Sequence, residues 1–536
     1  MRDLMQDQPL LISSLIAFAD RHHGATEIVS RTIEGPIHRY TYRDAHARAR
    51  RLAKALSRLG VAEGDRIGTL AWNGFRHFEL YFAVSGIGAV CHTVNPRLFP
   101  EQIVYIVNHA EDRWVFFDLT FAPLVEQLRP QCPRVAGWVA MTDRGHTTAA
   151  VADALCFEEL VAAEDDGLDW PRLDENAASS LCYTSGTTGN PKGVLYGHRS
   201  TVLHSYGAAL PDAMNLSARD VVLPAVPMFH ANAWGLPYSC PLVGAKMVFP
   251  GAALDGESLC ELIEAERVTF SAGVPTVWLG VLQCLASDDR RLTSLKRTII
   301  GGSACPPAMT RALEAHEVEV LHAWGMTEMS PLGVVCQLKH DLAPEDRLAL
   351  KNRQGRAIFG VDLKIVDGEG RELPWDGRVF GDLLVRGPWI AGGYFKGEGG
   401  DPLQDGWFPT GDVATIDPDG YVQITDRSKD VIKSGGEWIS SIELENIAIA
   451  HPAVAEAAVI GVHHPKWDER PLLIVQKKPD CEVGRDDLLA FYQDKVAKWW
   501  IPDDVVFVPT LPHTATGKLL KTKLREDFAG HRLPTM

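Results

Sequence analysis

The chain has 536 residues, 46% of them hydrophobic and 23% charged, a balance that excludes an intrinsically disordered protein and predicts a soluble globular one. Its formal charge of −16 excludes the basic footprint that non-specific nucleic-acid binding needs. No apolar run approaches the roughly 18 residues of a membrane span, so none is expected.

A chain of this length is expected to form two or more domains. At its start, Arg2, Asp3, Gln6 and Asp7 precede the apolar Leu10 to Ala19, which is not the basic leader of a signal peptide. The ten cysteines form neither a C-x-x-C pair nor a zinc-spaced cluster. Reduced thiols in a cytoplasmic enzyme are the expectation.

Helical and strand patterns alternate in the first part. Tyr42 to Leu59 carries Ala45, Ala49, Leu52, Ala53 and Leu56 at helical spacing, with Gly60 where a C-terminal cap would sit. Ile67 to Trp72 reads as a strand, Glu79 to Val94 as an apolar stretch, and Trp114 to Phe117 as a further strand. Val221 to Met228, Ala245 to Phe249 and Thr298 to Ile300 continue the series. Strands separated by helices imply parallel sheets covered on both faces. After the strand-like Val379 to Arg386 and Gly420 to Ile424 comes the charged run Asp426 to Asp430. A hinge is expected there, dividing 1–428 from 429–536.

The segments that carry chemistry follow the same order. Behind the strand-like Ala178 to Tyr183 stand Thr184, Ser185, Gly186, Thr187, Thr188, Gly189 and Lys192. Glycines let backbone N–H groups approach an anion, hydroxyls donate, and a lysine adds charge, a composition suited to phosphate. The spacing is not that of a Walker A loop, and the same composition would also serve an ordinary turn. His230 lies between the aromatics Phe229 and Trp234, where a histidine is often only a hydrogen-bonded structural residue. Gly301, Gly302 and Ser303 follow the strand-like Thr298 to Ile300, and Trp324 to Glu328 come next. Ligands bind at such strand ends, and a flat base needs close backbone on one side and a ring to stack upon. Asp412, after Thr410 and Gly411, reads by itself as a turn residue. Lys433 to Ile439 leads into a helix near Ser441, whose first turn Glu443 and Glu445 would suit. Pro512 to Lys518 closes the series, and Lys521, Lys523 and Arg525 read as solvated charges.

In order and spacing these motifs resemble the adenylate-forming superfamily of acyl-CoA synthetases, adenylation domains and luciferases, over nearly the whole chain. The fatty-acyl-CoA synthetase branch is the most similar, with counterparts to Asn95-Pro96-Arg97, Asn108 to Asp112, the His230 segment and Ser434 to Ser440. The resemblance implies an α/β fold: a large N-terminal portion of layered α/β subdomains with a β subdomain, and a small mobile C-terminal α/β domain. It also implies ATP, Mg2+ and coenzyme A. Thr184 to Gly189 and Lys192 match the phosphate loop. Gly302 and Ser303 with Trp324 match the adenine enclosure, which Gly325 and Met326 continue. Thr327 matches an α-phosphate contact, and Glu328 with Thr184 the magnesium ligands. Asp412 and Arg427 match ribose contacts, Lys433 and Trp438 nucleotide-side contacts, and Lys429 the hinge. His230 would position the substrate carboxylate, with Trp234 and Gly301 bordering the acyl channel. Gly435, Gly436 and Glu437 match the segment that shapes the pantetheine tunnel. Lys518 matches the lysine that bridges carboxylate and phosphates. Many relatives have tyrosine at the position of Trp324, a change that keeps the aromatic face and loses a hydroxyl.

The implied reaction is two-step ligation through an acyl-adenylate, with a small carboxylic acid, ATP and CoA as partners and a homodimer as the assembly. Within the branch the chain resembles ligases of 3-methylmercaptopropionate, the acid formed by demethylation of dimethylsulfoniopropionate. A medium- or long-chain fatty acid is the alternative, since Trp234 could close a short pocket or gate a long one. An adenylation domain that loads a carrier protein shares the motifs but usually belongs to a longer modular chain. A nucleotide-binding pseudo-enzyme would lack Lys518, Glu328 or Lys192, and all three are present.

Overall fold

The computed structural model describes residues 4–147, 153–184, 190–288, 291–339, 342–427, 429–434, 437–479, 481–513 and 519–536. The helix Tyr42–Arg58 begins where Thr41 and Asp44 cap each other: the Asp44 carboxylate accepts from Thr41 N–H at 2.9 Å, and the Thr41 hydroxyl accepts from Asp44 N–H at 3.4 Å. Its expected apolar face, Ala45, Ala49, Leu52, Ala53 and Leu56, is wholly buried. Each buried leucine there stabilises by about 2 kcal/mol. The helix stops at Leu59, and Gly60 follows with φ of +79°, the left-handed conformation a C-terminal cap uses. The neighbouring helix Phe75–Gly86 turns Tyr81 onto Tyr238 of the helix Leu236–Val243, ring centroids 5.5 Å apart. Tyr42 joins the same core and donates its hydroxyl to the Ala245 carbonyl at 2.6 Å.

Two large sheets flank this helical core. One has nine strands, with Glu319–Gly325, Arg297–Ile300, Phe270–Gly273, Val221–Pro224, Lys246–Phe249 and Glu27–Arg31 in parallel order. The other has seven, in the order Leu155–Cys156, Gly137–Ala140, Trp114–Phe117, Arg66–Leu70, Val90–Thr93, Ala178–Tyr183 and Gly193–Gly197. Both are mixed rather than wholly parallel. Ile37–Thr41, Leu332–Val335 and Arg356–Ala357 run antiparallel at the edges of the first, and Gly193–Gly197 at the edge of the second. A connection of a few residues, such as the one between Arg31 and Ile37, can make only a hairpin, because a parallel crossover needs a dozen or more.

The stretch read as a strand from Val221 to Met228 leaves the sheet after Pro224. Asn73 draws it away: its Nδ2 donates to the carbonyls of Pro224 and Val226, each at 2.8 Å, and its Oδ1 accepts from Met228 N–H at 2.6 Å. Beyond the large sheets, Asp362–Val366, Gly381–Arg386, Phe408–Ile416 and Val422–Arg427 form an antiparallel sheet. Another sheet follows, in which Asp504–Phe507 runs parallel to Asp468–Lys477 and the remaining pairs are antiparallel. It has its own core of Ile432, Ile439, Leu444, Leu473 and Tyr492. Among the described residues, which include all ten cysteines, none forms a disulfide, and nine of the ten are buried. Among the described residues no helix is long and apolar enough to cross a membrane.

Asp118 follows the strand Trp114–Phe117 and accepts from Trp72 N–H at 2.7 Å. Burial pushes its carboxyl up to about 7, and the Trp72 hydrogen bond and Arg76 oppose the shift. A folded-state pKa above the ordinary carboxyl value makes stability fall as pH rises from about 4 to about 7. Asp118→Asn removes that term, so its melting temperature should improve relative to the parent as pH is raised from 5 to 8. Parallel melting curves across that range would refute the assignment.

Candidate active site

Four parallel strands, Val221–Pro224, Phe270–Gly273, Arg297–Ile300 and Glu319–Gly325, end side by side. Beyond their carboxyl ends lies a cavity of about 1310 Å³. Open α/β sheets bind ligands at such an edge, where successive strands leave the chain order in opposite directions. Here Lys246–Phe249 and Phe270–Gly273 lie on opposite sides of Val221–Pro224. The wall takes His230 and Trp234 after the first strand end, Gly301 to Ser303 after the third, and Trp324 to Glu328 at the fourth. Thr184 and Lys192 enter from the seven-stranded sheet, and Arg427 and Lys429 from the segment that follows the antiparallel one.

The wall at His230 is backbone held against its preference. Ala231, Asn232, Ala233 and Trp234 have φ of 43°, 52°, 50° and 56°, and Gly235 completes the turn at 78°. The left-handed conformation costs about 1–2 kcal/mol per non-glycine residue and persists only when its surroundings enforce it. Asn232, buried, accepts through Oδ1 from the Tyr81 hydroxyl at 3.3 Å. Gly235 meets the His204 ring, where a Cβ would lie 2.6 Å from it. Burial brings His204 down to about 4, and its neutral Nε2 accepts from Leu332 N–H at 3.2 Å. The turn lays Trp234 along Gly301 and Gly302: a Cβ on Gly301 would lie 3.4 Å from the indole and 2.9 Å from the Ala323 carbonyl. Any larger residue at 301 would clash with that carbonyl.

At the other end, Thr184 and Lys192 pin the two ends of the glycine-rich loop together. Thr184 N–H donates to the Lys192 carbonyl at 2.9 Å, and Lys192 N–H to the Thr184 hydroxyl at 3.1 Å. The Lys192 ammonium lies 4.7 Å from the Tyr394 ring centroid, and the Tyr394 hydroxyl donates to Glu328 Oε1 at 2.8 Å. Glu328 is 7% exposed, and its carboxylate takes the Tyr394 hydroxyl out of contact with bulk solvent. Trp324 Nε1–H donates to Asp412 Oδ2, and Arg427 Nε meets Asp412 Oδ1, both at 2.9 Å.

Of the residues singled out in the sequence, Thr184, Lys192, His230, Trp234, Gly301, Gly302, Ser303, Trp324 to Glu328, Arg427 and Lys429 share the cavity. Asp412 reaches it through Trp324. Lys433 is exposed and paired in register with Trp438, away from the wall. Ser185, Gly186, Thr187, Thr188, Gly189, Gly435, Gly436 and Lys518 lie outside the described residues, as do the side chains of Glu437 and Trp438. His513 and Leu519, which bracket 514–518, both line the cavity.

Sequence reasoning missed several neighbours. Asn190, Tyr394, Glu398, Asp426, Glu445 and Lys521 also line the cavity. The Gly392-Gly393 pair before Tyr394 was the available signal for that loop. Lys521 and Arg525 are not solvated charges. Lys521 pairs with Glu445 at 2.7 Å, each side chain 10% exposed, and donates to the Ser441 hydroxyl; Arg525 pairs with Asp430. The helix Ser441–Ile449 is capped by Ser440, whose hydroxyl accepts from Glu443 N–H at 3.1 Å. Glu445 points instead into the buried pair. Burial raises the Glu445 carboxyl to about 7 while Lys521 pulls it back, and Glu445 with Asp426 raises Lys521 against the same desolvation.

The family described as "AMP-binding enzyme" matches residues 16–395, and "AMP-binding enzyme C-terminal domain" matches 443–518. The chain is 56% identical over 529 residues to the 3-methylmercaptopropionyl-CoA ligase of Ruegeria lacuscaerulensis, covering 98% of each. It is 53% identical to the medium-chain-fatty-acid–CoA ligase of Ectopseudomonas oleovorans, over 98% of this chain and 97% of the relative. Among solved structures, an anthranilate CoA ligase in complex with anthranoyl-AMP is similar with a TM-score of 0.86 at 26% identity, over 98% of this chain and 99% of that one.

Removing one partner of the Lys521–Glu445 pair strands a buried charge, which costs about 3 kcal/mol or more. Lys521→Met should therefore destabilise the protein, and more so at pH 8.5 than at pH 5.5. An unpaired Glu445 has a folded pKa further above its unfolded one, so stability is lost as pH rises through it. Urea unfolding at both pH values checks this, and an equal loss at both would rule it out.

Proposed function

The chain belongs to the AMP-binding enzyme family, and from that premise we propose that this acid–CoA ligase activates 3-methylmercaptopropionate and other short- to medium-chain acids, using ATP and CoA and releasing AMP and diphosphate. One observation carries the assignment of the site. Backbone and ring suited to a nucleotide, at Gly301 to Ser303 and Trp324, face the same cavity as His513 and Leu519, the residues on either side of the segment that holds Lys518.

In the first step an oxygen of the substrate carboxylate attacks the α-phosphorus of ATP in line. The bond to the bridging oxygen of the β-phosphate breaks, and diphosphate leaves with the electron pair. Two anions must meet, so Lys192 and Lys518 supply positive charge, and the hydroxyls of Thr184 and Thr327 donate hydrogen bonds. His230 orients the carboxylate beside Trp234. Glu328, a buried carboxylate with Tyr394 on one oxygen, fits a magnesium ion, which usually takes one or two carboxylates together with substrate phosphates. An ion held there by Glu328 and Thr184 would neutralise phosphate charge. In the second step the CoA sulfur attacks the acyl carbon, the acyl C–O bond to phosphate breaks, AMP leaves, and the thiol proton passes to solvent. Lys518 has no part in that step. Residues 429–536 turn about Lys429 between the steps, bringing Gly435, Gly436 and Glu437 to the CoA arm while Lys433 and Trp438 serve the nucleotide side. The separate core around Leu444 and Leu473 supports such a rigid unit. A homodimer in the cytoplasm, acting in dimethylsulfoniopropionate breakdown, belongs to the same proposal.

A medium-chain fatty acid is the second reading, favoured by the apolar arm of the cavity along Leu279, Leu282 and Met309. AMP release across straight-chain acids from acetate to palmitate, with 3-methylmercaptopropionate included, separates the two. The expected peak lies at the thioether acid and acids of butyrate size, and Lys518→Ala should lower adenylation at least about a hundredfold. A peak at dodecanoate or beyond transfers the assignment to fatty acids, and no CoA-dependent product with any acid sinks it.

A further inference from the structure

The run Asn108 to Asp112, which closes the helix Pro100–Ala110, has no task in the proposed reaction. Its histidine reaches both structures that hold Lys192. His109 Nδ1 lies 2.6 Å from the hydroxyl of Tyr183, the last residue before Thr184. His109 Nε2 lies 3.7 Å from Glu398 Oε1, and that oxygen, in the cavity wall, accepts from the Tyr105 hydroxyl at 3.0 Å. A carboxylate on the Nε2 side favours the proton there, so Nδ1 accepts from Tyr183. Tyr105 stands one turn before His109 on the same helix face, and the two rings stack with centroids 5.4 Å apart, which restricts the imidazole. Tyr183 also meets the ring of His92 at 5.1 Å, and His92 Nδ1 lies 2.8 Å from the carboxylate of Asp112, the last residue of the run. Glu398 precedes Gly399, where a Cβ would stand 3.0 Å from Lys192 Nζ. Phe395 of the same loop lies 3.0 Å from the place of a Cβ on Gly193, the residue after Lys192. The strand end that carries Thr184 and the loop that flanks Lys192 are thus tied together through one imidazole.

Resting on the ligase reading of the cavity, we infer that His109 is a positioning residue for the diphosphate part of ATP: through Tyr183 and Glu398 it holds Thr184 and Lys192 where they meet that group. His109 is not part of the cavity wall and acts only through these neighbours. Its role belongs to the first half-reaction, because diphosphate has left before the CoA sulfur attacks. The substitution His109→Phe keeps a ring and removes both nitrogens. With saturating acid it should lower kcat/KM for ATP in diphosphate release about tenfold, the loss of one buried hydrogen bond that kept its partner in place. The CoA-dependent conversion of supplied acyl-adenylate, which carries no diphosphate, should be unchanged in the same preparation, where an unfolded fraction would lower both alike. Tyr183→Phe should show the same split, and the double variant should fall no further than the single ones, because the pair acts as one unit. Equal losses in both half-reactions would make His109 a support of the fold at large and overturn the inference, as would an unchanged kcat/KM for ATP in His109→Phe. A wild type that releases no diphosphate with any acid would overturn the ligase reading itself, and the inference with it.

Discussion

Parallel pairing fixes the register of Val221–Pro224, Phe270–Gly273, Arg297–Ile300 and Glu319–Gly325, and the rest of the site hangs from it. Because these strands run the same way, their carboxyl ends open on one edge, and the chain leaves each of them there. His230, Gly301 and Trp324 are far apart in sequence and adjacent in the cavity wall for this reason alone. The parallel order also covers both faces of the sheet, which is why these strands are buried in continuous runs rather than at alternate positions.

That edge is stiff where substrate chemistry needs fixed geometry. Four consecutive non-glycine residues in the left-handed region cost several kcal/mol by themselves, on the order of 1–2 per residue. The surrounding core holds them through Asn232 on Tyr81 and through the fit of Gly235 against His204. The result is a large indole at Trp234 supported from beneath by strained backbone and faced by two glycines. A protein interior as dense as this one transmits such a constraint and does not absorb it.

Two lysines of the cavity wall stand in opposite electrostatic settings. Lys192 stands over an aromatic ring near Glu328, in an exposed position where a polyanion can meet it. Lys521, by contrast, is spent on Glu445 and Ser441 and ties the helices Lys521–Asp527 and Ser441–Ile449 together close to Asp426. Ser441 N–H donates to Asp426 Oδ2 at 2.7 Å, so the end of the antiparallel sheet and the C-terminal elements share a buried polar cluster at the expected hinge.

Much of this was legible in the sequence. The helix Tyr42–Arg58 and its glycine stop follow from spacing and capping, which are local, and the glycine-rich, strand-end and Gly-Gly segments announce themselves because their chemistry is packed into a few adjacent residues. Edge strands, the early exit of the chain at Pro224, and the pairings of Trp324 with Asp412, Tyr394 with Glu328 and Lys521 with Glu445 were not. Each joins residues dozens of positions apart, and a donor or a charge in sequence carries no mark of the partner it will find. The sequence by itself determined which residue types the site would contain and which backbone positions had to be glycine. Only the tertiary structure decided which polar atoms face which, because that depends on strand order and on what each side chain is buried against.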